Sequence, residues 1–294
     1  MICGNGAAEL IFRLVQEVRP KKAVIPAPSF AEYETALRSC GTEIAFFYLK
    51  EAESFFLNVS EFLDFLRTEQ PEIIFLCTPA NPTGAMIRQA DLSKILDYCK
   101  KHGILLVLDE CFVEFLDEER SCGCIREFLD WETGRPEHGG SLFLLRAFTK
   151  TYAMAGLRLG YLMTGDLSLL HAVAQQLPEW NVSSIAQRAG ISALQDTEYE
   201  KRTRQLIEKE RRYLIQEFLK MGCTVFPSEA DYITFRLPQE KTGFLLKERL
   251  LEGTILIRSC ANYRNMPPDC YRIAVKQHAD NEELVRQVWR ILKQ

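Results

Sequence analysis

The runs "PEIIFLCTP" at residues 71–79 and "GILLVLDE" at residues 103–110 are apolar without alternation between their flanks. A strand with no polar face must be covered on both sides. Between the two runs lies "QADLSKILDYCKKHG", which carries apolar residues at helical spacing and closes on Gly103. Strand, helix and strand of this kind build a parallel sheet with helices on its faces. "KKAVIPAP" and "GSLFLLRAF" repeat the strand pattern, so the stretch from Gly4 to about Gly165 reads as one α/β unit.

Beyond it, residues 187–222 read as one long or broken helical region rich in charge, closing at Gly222 and linking two parts of the chain. The tail offers strands in "CTVFPSEADYITFRLP", "TILIRSC" and "YRIAVK", a helix around "GFLLKERLLEG" and a last amphipathic helix from Asp280. The expected architecture is a three-layer αβα domain over 1–192, followed by a linker helix and a smaller α+β domain over 193–294. At 294 residues the chain is long enough to bury a substantial core.

The charge balance narrows the partners. With 36 Lys and Arg against 40 Asp and Glu, no basic field exists to hold a nucleic-acid backbone. Ten cysteines without CxxC pairs, the closest being Cys122 and Cys124 in an expected loop, read as reduced thiols of a cytoplasmic protein. The four histidines (His102, His138, His171 and His278) lack ligand spacing, so no metal is expected. No leader opens the chain and no apolar run approaches a membrane span.

Ligands of open α/β sheets gather outside the carboxyl ends of the strands, and four places there carry chemistry. "CGNGAAELIFRLV" sets glycines in a turn that opens directly into a helix, presenting free N–H groups to an anion, or simply beginning a helix. Asn81 in "CTPANPTGAMI" can face a cleft or merely shape an Asn-Pro turn. Asp109 ends an interior strand and there needs a cation, a protonated ring nitrogen or a structural ion pair. Lys150 in "TKTYAMAGLRLGYL" is a solvated charge or, in an apolar pocket, an amine able to attack a carbonyl. Taken together the four meet each demand of pyridoxal phosphate: a phosphate cradle with Thr149 and Arg158, an amine for its aldehyde, a carboxylate for its ring nitrogen and an amide for its phenolic oxygen.

In order along the chain, "GNGAAE", "PAPSFAEYE", "NPTG", "DECFVEF", "TKTYAMAGLRLGY", "PSEADYITFRL" and "YRIAV" resemble the fold type I pyridoxal-phosphate enzymes, aminotransferase class I/II. The resemblance implies that Gly6, Ala7 and Ala8 with Thr149 and Arg158 bind the cofactor phosphate and that Phe30 stacks on its ring. It also implies that Asn81 and Asp109 hold the ring, that Lys150 is the Schiff-base lysine, and that Arg272 receives an anionic group of the substrate, with Arg258 as a second such candidate. Within the family, "LIRSCANYRNM" and "EWNVSSIAQRAG" resemble the threonine-phosphate decarboxylases of cobalamin synthesis more than the histidinol-phosphate aminotransferases. Phe112 points the same way, because aminotransferases usually place a tyrosine three residues after the aspartate. The expected activity is decarboxylation of L-threonine O-3-phosphate or a similar phosphorylated amino acid. Transamination of the histidinol-phosphate type is the alternative, and a non-catalytic domain of the same fold a second one. The family's N-terminal arm is expected to be missing, since the chain opens at the phosphate-binding motif. A homodimer is implied by the family.

Overall fold

A computed structural model describes residues 1–116, 142–241 and 245–293. Cys122, Cys124, His138 and the start of "GFLLKERLLEG" lie outside the described residues. In chain order the elements are β1 (Ile2–Asn5), α1 (Gly6–Val18), β2 (Lys22–Ala27), α2 (Ala31–Ser39), β3 (Glu43–Tyr48), α3 (Val59–Glu69), β4 (Ile73–Cys77), α4 (Gln89–His102), β5 (Leu105–Asp109), β6 (Leu142–Ala147), β7 (Leu159–Met163) and α5 (Leu167–Gln175). They continue with α6 (Ser184–Gln195), α7 (Thr197–Lys220), β8 (Thr224–Phe226), β9 (Tyr232–Arg236), α8 (Leu246–Glu252), β10 (Arg258–Ser259), β11 (Cys270–Ala274) and α9 (His278–Leu292).

The first sheet has the order β1-β7-β6-β5-β4-β2-β3. β6, β5, β4, β2 and β3 pair in parallel, and β7 is antiparallel to both of its neighbours. The apolar runs explain themselves once the two faces are separated. Ile73, Phe75, Leu105, Val107, Phe143 and Leu145 pack in one cluster with Leu10, Leu14, Tyr33 and Leu37 of α1 and α2. Their immediate neighbours Ile74, Leu76, Leu106, Leu108, Leu142 and Leu144 pack in another with Phe62, Leu66, Leu92 and Ile95 of α3 and α4. Successive side chains point to opposite faces, so a strand sandwiched by helices has to be apolar throughout. The architecture is the expected three-layer αβα arrangement around a mainly parallel sheet.

The second sheet, β10-β11-β9-β8, is antiparallel. Its core brings Phe235 and Ile273 together with Leu214 and Phe218 of α7 and Leu284 and Val288 of α9. The helical region is the broken form of the two expected: Asp196 interrupts it, its carboxylate accepting from the Tyr199 N–H and capping α7. Other elements differ from expectation. "TILIRSC" supplies only the two-residue β10, and β1, β3 and β7 carry no separate signal in the sequence because they are edge or antiparallel strands with shorter or mixed patterns. Among the described residues no helix is long and apolar enough to cross a membrane, and no group of three or more His, Cys, Asp or Glu is placed to hold a metal ion.

Phe143 is fully buried on the face packed by α1 and α2, whereas Leu219 on α7 is 54% exposed. Phe143→Ala is expected to lower the unfolding free energy by about 3–5 kcal/mol and Leu219→Ala by no more than about 0.5 kcal/mol, measured by urea denaturation.

Candidate active site

Strand ends converge because the sheet is in register. Cys77 pairs with Asp109 across β4 and β5, and Asp109 with Leu145 across β5 and β6. The chain therefore delivers Asn81, Asp109 and Lys150 from three adjacent strands to one edge of the sheet. A cleft of about 1050 Å³ opens there, between that edge and the second sheet. Ala7, Ala8, Phe30, Asn81, Asp109, Thr149, Lys150 and Arg158 line one side and Arg258 and Arg272 the other. Gly6 is buried immediately beside it.

The glycine turn is shaped to bring a guanidinium against a helix start. Gly6 has φ of +79°, and a Cβ there would lie 2.7 Å from Nη2 of Arg158. On the other side, a Cβ at Gly160 would lie 2.6 Å from the backbone nitrogen of Ala7. Only glycine at both positions lets β7 and Arg158 close on the first turn of α1, whose N–H groups have no partner within the helix. Glu9 folds back to accept from the Asn5 N–H at 2.7 Å, which fixes the turn. The result is a concave arrangement of backbone donors with one guanidinium, suited to a phosphate.

Asp109 is 5% exposed. Its Oδ2 accepts from the Tyr33 hydroxyl at 2.5 Å and its Oδ1 from the Cys111 N–H at 2.9 Å. Burial pushes the carboxyl above its ordinary value, opposed by these hydrogen bonds and by the charge of Lys150. Burial and the neighbouring Asp109 also push the Tyr33 hydroxyl well up, so Tyr33 stays a donor. A buried carboxylate opening on a cleft is matched by a cationic partner there, and a protonated pyridine nitrogen meets that need. Tyr33 escaped the sequence reading, although it follows Phe30 by three residues on α2 and meets it edge-on at 5.5 Å. It also stacks on Phe75 in the sheet at 4.9 Å.

Lys150 is not enclosed in an apolar pocket. It is exposed to the cleft, its Nζ 5.5 Å from the centroid of the Phe112 ring and its charge acting on Asp109 and Asp231. It follows β6 in a turn closed by the Ala153 N–H on the Lys150 carbonyl. Phe112 is buried edge-on against Tyr232 at 5.2 Å, so position 112 offers packing and no hydroxyl.

The second sheet grips the Asn81–Gly84 loop. The Tyr232 hydroxyl donates to the Ala80 carbonyl at 2.7 Å, the Glu229 N–H to Gly84 at 2.9 Å and the Thr234 hydroxyl to Pro82. Asn81 Oδ1 accepts from the Tyr263 hydroxyl at 3.1 Å and from Arg272. That leaves its amide NH2 to donate into the cleft. Arg272 also lies over the Tyr232 ring, 4.8 Å from the centroid. Arg258 is directly opposite Arg272 in the β10–β11 ladder and donates to Asn262 at 2.9 Å. Among the described residues neither arginine has an ion-pairing carboxylate. Asp231, half-buried in the same wall, has its carboxyl pushed up by burial against the charges of Lys150 and Arg272. Tyr263 and Asp231 lie inside the quoted motifs "LIRSCANYRNM" and "PSEADYITFRL", but their residue types alone gave no reason to select them.

Known proteins share both sequence and fold with this chain. It is 36% identical over 293 residues to the threonine-phosphate decarboxylase of Salmonella typhimurium, covering 99% of this chain and 77% of that protein. The histidinol-phosphate aminotransferase of Clostridium acetobutylicum superposes with a TM-score of 0.88 at 28% identity, over 99% of this chain and 83% of that one. The histidinol-phosphate aminotransferase of Sinorhizobium meliloti, solved with pyridoxal-5'-phosphate, has the same fold, with a TM-score of 0.85 at 19% identity over 99% of this chain and 76% of that one. The family model "Aminotransferase class I and II" matches residues 1–288. The chain therefore belongs to the class I and II aminotransferase family of pyridoxal-phosphate-dependent enzymes.

Proposed function

We propose that this enzyme decarboxylates L-threonine O-3-phosphate, or a closely similar phosphorylated amino acid, giving the amino-alcohol phosphate used in cobalamin synthesis. The observation that carries the reading is the opposed pair Arg258 and Arg272, two arginines side by side on one cleft wall, neither of them ion-paired to a carboxylate among the described residues. Such a pair asks for a ligand with two anionic groups, and a phosphorylated amino acid has a carboxylate and a phosphate. The likeness to the Salmonella decarboxylase supports the same substrate class.

When bound, pyridoxal phosphate supplies an aldehyde for an amine and a ring that takes up the electron pair released at the substrate α-carbon. In our reading the N–H groups of Gly6, Ala7 and Ala8, the Thr149 hydroxyl and Arg158 hold its phosphate. Phe30 covers the ring, the Asn81 amide donates to the phenolic oxygen and Asp109 keeps the ring nitrogen protonated. Tyr33 and the Cys111 N–H fix the carboxylate that does so. Lys150 would supply the amine for the aldehyde. Arg258 and Arg272 would grip the two anionic groups of the substrate and so set which bond of the α-carbon breaks, in our reading the bond to the carboxylate, which leaves as carbon dioxide. Lys150, its amine freed by the incoming substrate amine, would return a proton to the α-carbon. Phe112 leaves the face beside Lys150 without a second hydroxyl, which supports the decarboxylase over the aminotransferase.

The exposed apolar side chains of Trp180, Ile185 and Leu194 lie on or next to α6, 92%, 69% and 63% exposed. We read this exposed apolar segment as the contact with a second copy of the chain. The eight described cysteines are free thiols, which supports a reducing, cytoplasmic setting. We also read residues 1–192 as the large domain and 193–294 as linker helix and small domain.

Incubation of the purified chain with pyridoxal phosphate and threonine phosphate is expected to release carbon dioxide in proportion to substrate consumed. Amino transfer to a 2-oxo acid without carbon dioxide would instead assign the aminotransferase activity, and absence of both would reject an active enzyme. Arg272→Lys keeps the charge but loses the planar fork, and is expected to lower kcat/KM for threonine phosphate about 10- to 100-fold, the worth of one charge-assisted hydrogen bond of ~1.5–3 kcal/mol. Light scattering is expected to give a particle of twice the 294-residue chain's mass, shifting to the single-chain mass in Ile185→Lys.

A further inference from the structure

Beneath the cleft lies a charged cluster to which the proposed chemistry gives no part. Glu110, the residue after Asp109, is fully buried, and its Oε2 accepts from Nε and Nη2 of Arg146 at 2.9 and 2.7 Å. Among the described residues its Oε1 has no hydrogen-bond partner. Arg146 is 7% exposed on β6, four residues before Lys150. Its Nη1 also lies 3.8 Å from Oε1 of Glu114, and Oε2 of Glu114 accepts from the hydroxyl of Thr151, the residue after Lys150, at 3.4 Å. From α7, Arg204 donates to the Glu114 carbonyl at 3.2 Å and pairs with Glu200 at 2.9 Å.

One buried cation therefore stands between two carboxylates. Burial works against the Arg146 charge, but Glu110, Tyr161 and Glu114 more than offset it and hold the guanidinium protonated above its ordinary value. Burial, with the charges of Glu110 and Glu200 and against that of Arg146, pushes Glu114 up to about 7. A proton on Glu114 leaves the Glu110, Arg146 and Glu114 group neutral, and its loss adds one negative charge. The groups facing Glu114 are Glu110 from the end of β5, Arg146 from β6, Tyr161 from β7, Thr151 and Tyr152 from the lysine turn, and Glu200 and Arg204 from α7.

We propose that Glu110, Arg146 and Glu114 form a positioning triad for Lys150. The Glu110–Arg146 pair locks the end of β5 to β6, so that Asp109 and Lys150 are delivered at a fixed separation. Glu114 ties down Thr151, the residue after the lysine, and so sets a titratable carboxyl against the turn that carries it. Because Arg204 holds the Glu114 backbone, the arrangement also connects the lysine turn to α7.

This rests on the reading of Lys150 as the cofactor's lysine and needs no substrate, so it stands or falls apart from the decarboxylase assignment. The test is a spectrophotometric titration, between about pH 5.5 and 9, of the visible band that pyridoxal phosphate develops at Lys150. Native chain, Glu114→Gln and Thr151→Val are compared, with Lys150→Ala as the blank. As pH rises through about 7, Glu114 ionises, and the negative charge added against the lysine turn, where Glu114 holds Thr151, is expected to disfavour loss of the proton at Lys150. Glu114→Gln removes that charge and is expected to lower the midpoint of the titration by on the order of half a pH unit. Thr151→Val keeps the charge and loses only the tether; it is expected to leave the midpoint in place and to speed cofactor dissociation, followed by dilution, several-fold. An unmoved midpoint in a folded Glu114→Gln, or an unchanged dissociation rate in Thr151→Val, would overturn the triad. A native chain without a Lys150-dependent band would overturn it together with the reading of the lysine.

Discussion

The structure is organised around a carboxylate that has been taken out of water. Asp109 sits at the end of β5, an interior strand flanked by β4 and β6 and covered by helices on both faces. A carboxylate in that position costs several kcal/mol unless partners replace its hydration. Two are built into the chain, the hydroxyl of Tyr33 from α2 and the N–H of Cys111 from the turn beyond the strand. Tyr33 can reach it only because α2 lies across the sheet with the ring stacked on Phe75. The packing of one helix layer and the ionisation of one cleft residue are thus the same requirement. Neutral partners satisfy the geometry of a carboxylate but not its charge, which is why the cleft calls for a cation at this point.

The second sheet completes what the first leaves open. A loop such as residues 80–84, leaving a central strand, has backbone groups that neither the sheet nor a helix satisfies. Tyr232, Thr234 and Glu229 take those groups one by one, and Ser228 packs against Gly84, where a Cβ would lie 2.1 Å from its hydroxyl. Asn81 is thereby held from behind through its carbonyl oxygen, so its amide is oriented before any ligand arrives. The same contacts carry Arg272 to the cleft. Orientation of the Asn81 amide and delivery of Arg272 to the cleft are mechanically one event.

The fold was legible in the sequence where burial on two faces left no choice of residue, as in β4, β5 and β6. The strands that escaped, β1, β3 and β7, lie at or next to the sheet's edges, where a single covered face or an antiparallel partner relaxes that demand. In the site, Lys150, Asp109, Asn81 and the glycine turn were visible because a charged or conformationally special residue at the end of an apolar run needs a reason. Tyr33, Tyr263 and Asp231 were not, because a tyrosine or aspartate in a helix or loop has many ordinary uses and only the fold shows what it faces. Arg146 was hidden for a different reason: inside "SLFLLRAF" it resembles the close of a strand, while its partners Glu110 and Glu114 lie more than thirty positions away in sequence. The exposed setting of Lys150 was also invisible, since an apolar sequence neighbourhood on a turn does not become an apolar spatial one.

The choice of reaction in such a site lies with the groups that turn the substrate, not with those that hold the ring. Asp109, Asn81 and the α1 cradle would serve decarboxylation and transamination alike, because both need the same electron acceptor held in the same place. In the proposed reading the discriminating wall is the one carrying Arg258 and Arg272, opposed across β10 and β11 and bonded to the amide oxygens of Asn262 and Asn81. A neutral amide oxygen is a weaker partner for guanidinium than a carboxylate or phosphate, so an anion would compete for both arginines. Two such contacts a strand's width apart would fix two anionic groups at once, and two fixed points would leave the α-carbon one axis about which to turn. On that axis the position of the carboxylate relative to the ring would no longer be free, which would convert a binding preference into a choice of which bond is broken.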